Sequence, residues 1–578
     1  RRLVGFEDEC RKILEDGLEM RCEFTNCAGD LSTVSWVSNQ TYLAGTTVHM
    51  DSHNQQYNKP GNLVLGSVAR GSATLKAYPD HRIPRPLVER GENSTEAMRE
   101  SQSPWLYTSV VSSDYDRIHN RIYSSGFDKK VKVWKVDSAG ASMRCIGTWE
   151  HEGPVNFVQA SLFDNQDEAL VATAADVPTN AVRVYHVSKD DRHVAQSRFK
   201  PFSCSRIVNS DGTPMVIDKW TYFPSTMRWG IEQSVKHLLL VGYSPRSLTG
   251  DDNDIPTDRS NTGELCLWDA VSGKGVTITS ARTQNVFEVL WHPTQPVFIA
   301  ATSPAGYALN FDRVKTQVRI FKQVVDNGHS TGLAFTEMNA LDCYAVDINE
   351  LTIMPNSPHF CFVTAGCTDG KTYVWDTALG DKPVQVLAHG QPVAGVTAGD
   401  DTDDTGVKFT AWGTSMDRFY TGSSDGIVKV WNVRSLGKKA KGRVILEAPA
   451  QISFGAFSPD KSKLVIGDAS GRVFVLSTDH DDGSPPSFVK LPGGVKKRAP
   501  TTITPHADPP PPRGVALTDG RALGRRYVAN GQLRYSGDPT VGMVKDMKYA
   551  ETGLYCREAY LGGNTLMPVQ AHFEAYLQ

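Results

Sequence analysis

The stretch Gly422-Ser423-Ser424-Asp425-Gly426, within YTGSSDGIVKVWNVRSL, has the G-x-S-x-G spacing of a nucleophile elbow. Such an elbow needs a strand that turns sharply into a helix, with an acid and a His further along the chain. Ser424 instead leads into DGIVKVW, with apolar Ile427, Val428, Val430 and Trp431 beside Lys429, which predicts a strand. The stretch therefore reads as a hairpin turn, and Ser424 as structural. His49, Asp51 and His53 in HMDSH stand at alternate positions, so on a strand they share a face and could begin a metal site. No fourth ligand accompanies them, and a solvated polar segment is the preferred reading. VSGKGVT has a Gly-Lys pair without the glycine-rich cradle of a phosphate-binding loop, and no G-x-G-x-x-G opens a βαβ unit. No catalytic residue, metal or cofactor is assigned, and the expectation is a protein that is not an enzyme.

The 578 residues allow several domains or one large array, and 40% hydrophobic with 22% charged residues is ordinary for a globular chain. A formal net charge of −3 predicts no general affinity for nucleic acid or an anionic membrane. No apolar run approaches the roughly 20 residues that span a bilayer. The chain opens on Arg1 rather than Met, so a removed leader would leave no trace. The 10 cysteines are scattered and include no C-x-x-C pair, which fits neither a disulfide framework nor a zinc module and points to a reducing compartment, nucleus or cytosol. Asn93-Ser94-Thr95 spells a glycosylation sequon that this compartment makes incidental.

The pattern around Trp431 recurs. VTAGCTDGKTYVWDTAL (363–379) and IYSSGFDKKVKVWKVDS (122–138) repeat it, and weaker copies close on Tyr185, Trp268, Phe321 and Leu476. From Trp134 onward the closing residues are 51, 83, 53, 54, 56 and 45 positions apart. That period suits a four-stranded antiparallel unit plus loops, which buries both faces only against its neighbours. A further candidate unit precedes Trp134 over residues 31–79, giving eight; seven plus an N-terminal hairpin is the alternative.

These residues resemble the WD-repeat (WD40) β-propeller family over roughly residues 30–492. The resemblance implies an all-β fold of radially arranged blades. In that family a His before the first strand of a blade and an Asp in the turn between its second and third strands tie the blade together. It assigns those roles to His389, Asp425 and Trp431, to Asp369 and Trp375 without a clear His-Gly before them, and to Asp128 and Trp134. Propellers of this family that serve cullin-four ubiquitin ligases often end a blade with Trp-Asp-x-Arg. Trp431-Asn432-Val433-Arg434 matches at Trp and Arg, so Trp431 and Arg434 are the implied contacts to a ligase adaptor. Trp375-Asp376-Thr377-Ala378 lacks the Arg. DSHNQQYNKPGNLVLGS and YAETGLYCREAY are similar to fungal WD-repeat receptors of heterochromatin-linked cullin-four assemblies. That implies a nuclear protein joining a ligase adaptor to histone methyltransferase subunits, with a cytoplasmic location as the alternative. A reader of histone tails or methyl-lysine at the channel mouth is the competing binding function.

The domain expectations are a helical segment over 1–28, a propeller over 29–492 with polar insertions 80–105 and 245–262, a Pro-rich linker over 493–514 and a C-terminal extension over 515–578. In the first segment Phe6, Cys10, Ile13, Leu14 and Leu18 are placed on one helical face. Basic clusters at Lys438, Lys439, Lys441 and Arg443 and at Lys496–Arg498 are read as solvated, with nuclear import as the second reading of the latter. In the extension, Leu523, Tyr527 and Val528 could share a helix face.

Overall fold

The computed structural model describes residues 6–91, 93–163, 168–207, 219–280, 284–304, 313–325, 333–355, 362–393, 406–415, 417–433, 442–490, 494, 496–506, 520–537 and 543–548. The chain divides into two compact units, Arg1–Thr47, Gly61–His81 and Ser109–Pro505 forming the first, and Val48–Pro60, Arg82–Thr108 and His506–Gln578 the second.

In the first unit eight sheets follow one another along the chain, each a four-strand antiparallel meander at heart. Their first strands are Leu31–Trp36, Val110–Asp116, Val155–Ala160, Trp220–Trp229, Val286–Trp291, Ile348–Ile353, Val407–Trp412 and Ile452–Phe457. Each of these packs against the first strand of the next sheet, and the eighth against the first, so the ring closes as an eight-bladed β-propeller. All eight carry a register shift, seven at the start of the strand, as between Leu31 and Thr33, Val110 and Ser112, or Val407 and Phe409, and the fourth mid-strand between Pro224 and Thr226. A bulge bends and twists its strand, which suits strands that must splay from a shared axis.

Alternation along the strands gives each blade two apolar faces, and both are used. Leu31, Trp36 and Tyr42 pack with Val465, Val473 and Val475 between the eighth and first blades, while Phe409, Tyr420 and Val428 pack with Leu464, Ile466 and Phe474 between the seventh and eighth. The turns that spell Asp-Gly need a left-handed residue after the Asp: Gly370 and Gly426 have φ of 74° and 75°. In the second blade Lys129 takes that conformation at φ 63°, and Lys129→Gly should stabilise the fold by up to about 1 kcal/mol in a denaturant melt.

The eighth blade is completed from the other end of the chain. Glu19–Thr25 pairs antiparallel with Val473–Ser477, with Cys22 and Phe24 buried in the seam. The stretch read as helical over 1–28 thus holds both a helix, α1 (Phe6–Asp16), and this closing strand. The seam is strapped from outside. Thr501–Thr502 runs parallel to the closing strand, Thr504 exchanges backbone hydrogen bonds with Leu75 and Ala77 of the first blade, and Ile503 is buried between them. Within the stretch read as a linker over 493–514, residues 496–505 are therefore ordered against the propeller, and the proline run 509–512 lies outside the described residues. So do residues 399–405 of the acidic loop.

The second unit gathers three separated segments. Arg82–Pro84 pairs with Trp105–Tyr107, and the Asn58 amide caps the latter strand by donating to the Trp105 carbonyl and accepting from the Tyr107 N–H, both at 2.9 Å. Helix α2 (Glu96–Ser101) is N-capped by Thr95, and its Glu100 pairs with Arg526 of helix α3 (Gly520–Ala529) at 3.0 and 2.6 Å. Tyr527 is buried, while the side chain of Leu523 lies outside the described residues, as does all of 549–578. Asn93 is buried with its amide donated to the Pro86 carbonyl, so the sequon has no exposed acceptor.

Candidate protein-docking surface

Ser424 sits in the tight turn between two strands. Its N–H donates to the Gly406 carbonyl at 2.9 Å, and its hydroxyl accepts the Gly406 N–H at 3.0 Å. The strand Ile427–Trp431 comes next, and the serine side chain is buried. The geometry of the hydroxyl and its setting are those of a turn.

The neighbouring residues form a buried chain of polar contacts. His389 Nδ1 faces both Asp425 oxygens at 3.1 Å, His389 Nε2 is 2.7 Å from Thr421 Oγ1, and the Trp431 indole donates to that same oxygen at 2.7 Å. The second blade builds the same chain from His81, Asp128, Ser124 and Trp134, with distances of 3.0, 2.8 and 2.8 Å. His81 escaped the sequence reading because the insertion carrying residues 82–108 separates it from the first strand of its blade. In the sixth blade Ala365 stands where Thr421 stands in the seventh, by register. There Asp369 accepts from Tyr373 Oη at 3.0 Å, and Trp375 donates to the Asp342 carbonyl at 3.2 Å. The third blade keeps His151 on Thr173 at 3.0 Å; burial, helped by Arg183, pushes this imidazole down to about 4.

Burial opposes ionisation of Asp425, but the hydrogen bond and charge of His389 with the N–H groups of Gly390 and Ile427 outweigh it and hold the carboxyl below its ordinary value. Its stabilising contribution is present above the ordinary carboxylate range and is lost as pH falls through the lowered value. Asp425→Ala should cost about 2–3 kcal/mol at pH 7, and the deficit relative to wild type should shrink as urea melts are carried to acid pH.

Trp431 is 3% exposed and belongs to this interior chain, so its ring is closed to a partner. Arg434 lies outside the described residues. The described residues on either side of it are Val433 and Gly442-Arg443. Arg443 donates to Asp16 of α1 at 3.1 Å, and Arg418 grips the same carboxylate at 2.9 and 2.5 Å. Beside it the Glu15 carboxylate is buried, accepting the Thr414 N–H at 2.9 Å, the Thr414 hydroxyl and the Tyr420 phenol at 2.8 Å. A Cβ on Gly413 would overlap that carboxylate, so only glycine leaves room for it. Leu18 enters the core behind.

The helix is therefore clamped to the seventh blade by acids, and the single apolar face expected for it is split. Ile13 and Leu14 are 71% and 62% exposed while Leu18 is buried. Two adjacent large aliphatic side chains, held rigidly in solvent, form an anchor of the kind that partners bury. Gly413→Ala should displace Glu15 and lower stability by about 2–3 kcal/mol in a thermal or urea melt.

At the axis, first strands of nearby blades bring ionisable groups together. Arg228 pairs with Glu288 at 3.2 Å, and Asp114 accepts the N–H groups of Tyr115 and Ala160 at 2.9 and 2.8 Å. Glu350 has no ion-pair partner among the described residues; burial first, then Glu288, raises its carboxyl to about 8. His49, Asp51 and His53 fall in the second unit. There the His53 N–H donates to Asp51 at 2.8 Å and His49 packs edge-on against Tyr57, and among the described residues no group of three or more His, Cys, Asp or Glu is placed to hold a metal. Among the described residues no helix is long and apolar enough to cross a membrane.

The family model described as WD domain, G-beta repeat matches residues 382–432, which span His389, Asp425 and Trp431. Over 433 residues the chain is 25% identical to Rik1-associated factor 1 of Schizosaccharomyces pombe, a match covering 74% of this chain and 56% of that protein. It is 24% identical over 328 residues to Protein tipD of Dictyostelium discoideum, covering 53% and 46%. The chain thus spans about half the length of the curated relatives it matches. The solved structure of the Dos1 propeller superposes with a TM-score of 0.58 at 22% identity, over 81% of this chain and 97% of that one, and this likeness speaks for the fold. With eight blades in a closed ring, His–Asp–hydroxyl–Trp chains in two of them and one repeat, residues 382–432, matched by the family model, the chain is a β-propeller of WD-repeat type.

Proposed function

We propose that this protein is a nuclear, non-catalytic scaffold, the substrate-receptor or adaptor-bound subunit of a cullin-four-type ubiquitin ligase tied to heterochromatin. The observation that carries the reading is helix α1, with Ile13 and Leu14 exposed on a helix whose Glu15 and Asp16 are locked to the seventh blade. Arg443, the second described residue after Arg434 in the chain, donates to Asp16 of the same helix, which supports testing Arg434 together with α1. Similarity to a protein named for its association with Rik1 supports a role in binding other chains. Affinity purification from the native cell should recover an adaptor chain and methyltransferase subunits. Arg434→Ala should weaken adaptor recovery with thermal stability nearly unchanged, and undiminished recovery would remove Arg434 from the interface.

A basic peptide tail, as in a histone reader, is the second reading. It is favoured by the acidic groups on first strands at the axis, Asp114, Glu288 and Glu350, of which Glu350 has no ion-pair partner among the described residues and would ionise against an incoming lysine or arginine. Binding on a peptide array that is lost in Glu350→Gln would support it. Metal-assisted chemistry at His49, Asp51 and His53 has the least support, and elemental analysis of the purified protein should find no stoichiometric metal.

A further inference from the structure

Residues Phe488–Lys490 and Lys496–Arg498 form a two-stranded antiparallel ribbon beyond the eighth blade, pairing Phe488 with Arg498, Val489 with Lys497 and Lys490 with Lys496. Paired residues and those two apart share a face of the pleat. Phe488, Lys490, Lys496 and Arg498 therefore stand on one side, with Phe488 58% exposed and both lysines exposed. Like charges directly opposite each other destabilise a strand pair, and a lone two-stranded ribbon is marginal in water. This one carries such a pair at Lys490 and Lys496, and among the described residues neither lysine has an ion-pair partner. No Asp or Glu occurs between Asp482 and Asp508 to neutralise them. The ribbon is nevertheless fastened at its base. Arg498 donates to the Met20 carbonyl of the closing strand at 3.2 Å, and Ala499 N–H donates to the Ser487 carbonyl at 2.8 Å.

We infer that this ribbon is a binding element for duplex DNA, its lysines contacting phosphates and its exposed Phe488 lying against the groove wall. Charge complementarity selects an anion, and the shape selects the kind. A two-stranded ribbon fits the major groove of B-form DNA, whereas that of A-form RNA is too narrow for side chains to read. An acidic peptide that adds to one of the ribbon's strand edges would be held by backbone hydrogen bonds, whereas the feature here is an exposed face bearing two opposed lysines and an aromatic ring. The chain's net charge of −3 predicts no general affinity for nucleic acid, and it does not bear on a local cluster of this kind. The binding is sequence-independent and weak, in the range of about 10⁻⁴ to 10⁻⁶ M typical of backbone contacts. This inference is independent of the adaptor-binding function.

The test is fluorescence anisotropy of a labelled 20-base-pair DNA duplex titrated with the full chain from 25 to 200 mM salt. Two to three phosphate contacts predict a slope of about −2 to −3 in log affinity against log salt. Lys490→Glu with Lys496→Glu should weaken binding at least about tenfold at low salt and flatten the slope by about two. A control pair on other blades, Lys274→Glu with Lys382→Glu, should leave both unchanged. Thermal melts of both variants should match wild type, since all four lysines are exposed. Equal duplex binding by wild type and the ribbon variant would overturn the proposal. So would absence of duplex binding at 25 mM salt, or capture of a polyglutamate peptide by the ribbon without any DNA binding.

Discussion

A chain begun at Asn26 is expected to lose cooperative folding of the eighth blade and to aggregate or to melt well below the full chain. The truncation removes the fourth strand of that blade, its ladder to Val473–Ser477, and the buried side chains of Leu18, Cys22 and Phe24. Burial of the Leu and Phe alone is worth about 3–6 kcal/mol, and the exposed edge of Val473–Ser477 adds a site for aggregation. Against a net stability of about 5–15 kcal/mol, that is a large fraction. Circular dichroism melts and size-exclusion chromatography measure the loss. A synthetic peptide of residues 1–25 added during refolding should restore much of it, because it returns the ladder to Val473–Ser477 and the buried side chains of the seam. A truncated chain that melts like the full one would mean that the ring does not depend on this strand.

Glu350→Gln is expected to stabilise the protein at pH 8 and to make little difference at pH 4.5. Burial, and then repulsion from Glu288, raise the Glu350 carboxyl from 4.5 to about 8, with Arg228 opposing. In the unfolded chain it loses its proton near its ordinary value, and in the folded chain it holds it to about 8. Folded protein binds more protons across that window, so stability falls as pH rises through it. Full conversion of the shift would exceed 4 kcal/mol, but Glu350 keeps partial exposure at the axis, and water there screens the charge. A gain of about 2 kcal/mol for Gln at pH 8 is the expected result, read from urea midpoints at fixed slope. A gain of equal size at both pH values would trace to packing instead.

The repeat was legible because each blade closes on a large apolar residue after an alternating strand, and those residues recur at the spacing of a four-stranded unit. Burial of both blade faces makes that pattern compulsory; the closing residues count seven, and the candidate unit over residues 31–79 makes the eighth. The closing strand was not legible. EMRCEFT comes after a helical stretch and pairs with a partner more than 440 positions away, and nothing in its own residues names that partner. His81 was hidden in the same way by the insertion after it. Periodicity grouped Ile13, Leu14 and Leu18 on one helix face, whereas α1 ends at Asp16, the carboxylate of Glu15 is buried and the two aliphatic residues of the helix lie outside. An acid whose partners come from residues 414 and 420 is invisible to helical periodicity, which counts only apolar positions. Trp431 shows the limit of a motif, since the ring that marks the Trp-x-x-Arg spacing is fully used inside its own blade.

The most direct test of the docking account is the affinity of the purified adaptor for the full chain and for Ile13→Glu with Leu14→Glu, measured by calorimetry beside thermal melts of both. Burying two exposed aliphatic anchors is worth about 3–6 kcal/mol, so the account predicts a loss of at least about a hundredfold with an unchanged melting temperature. Equal affinity of the two proteins would contradict it.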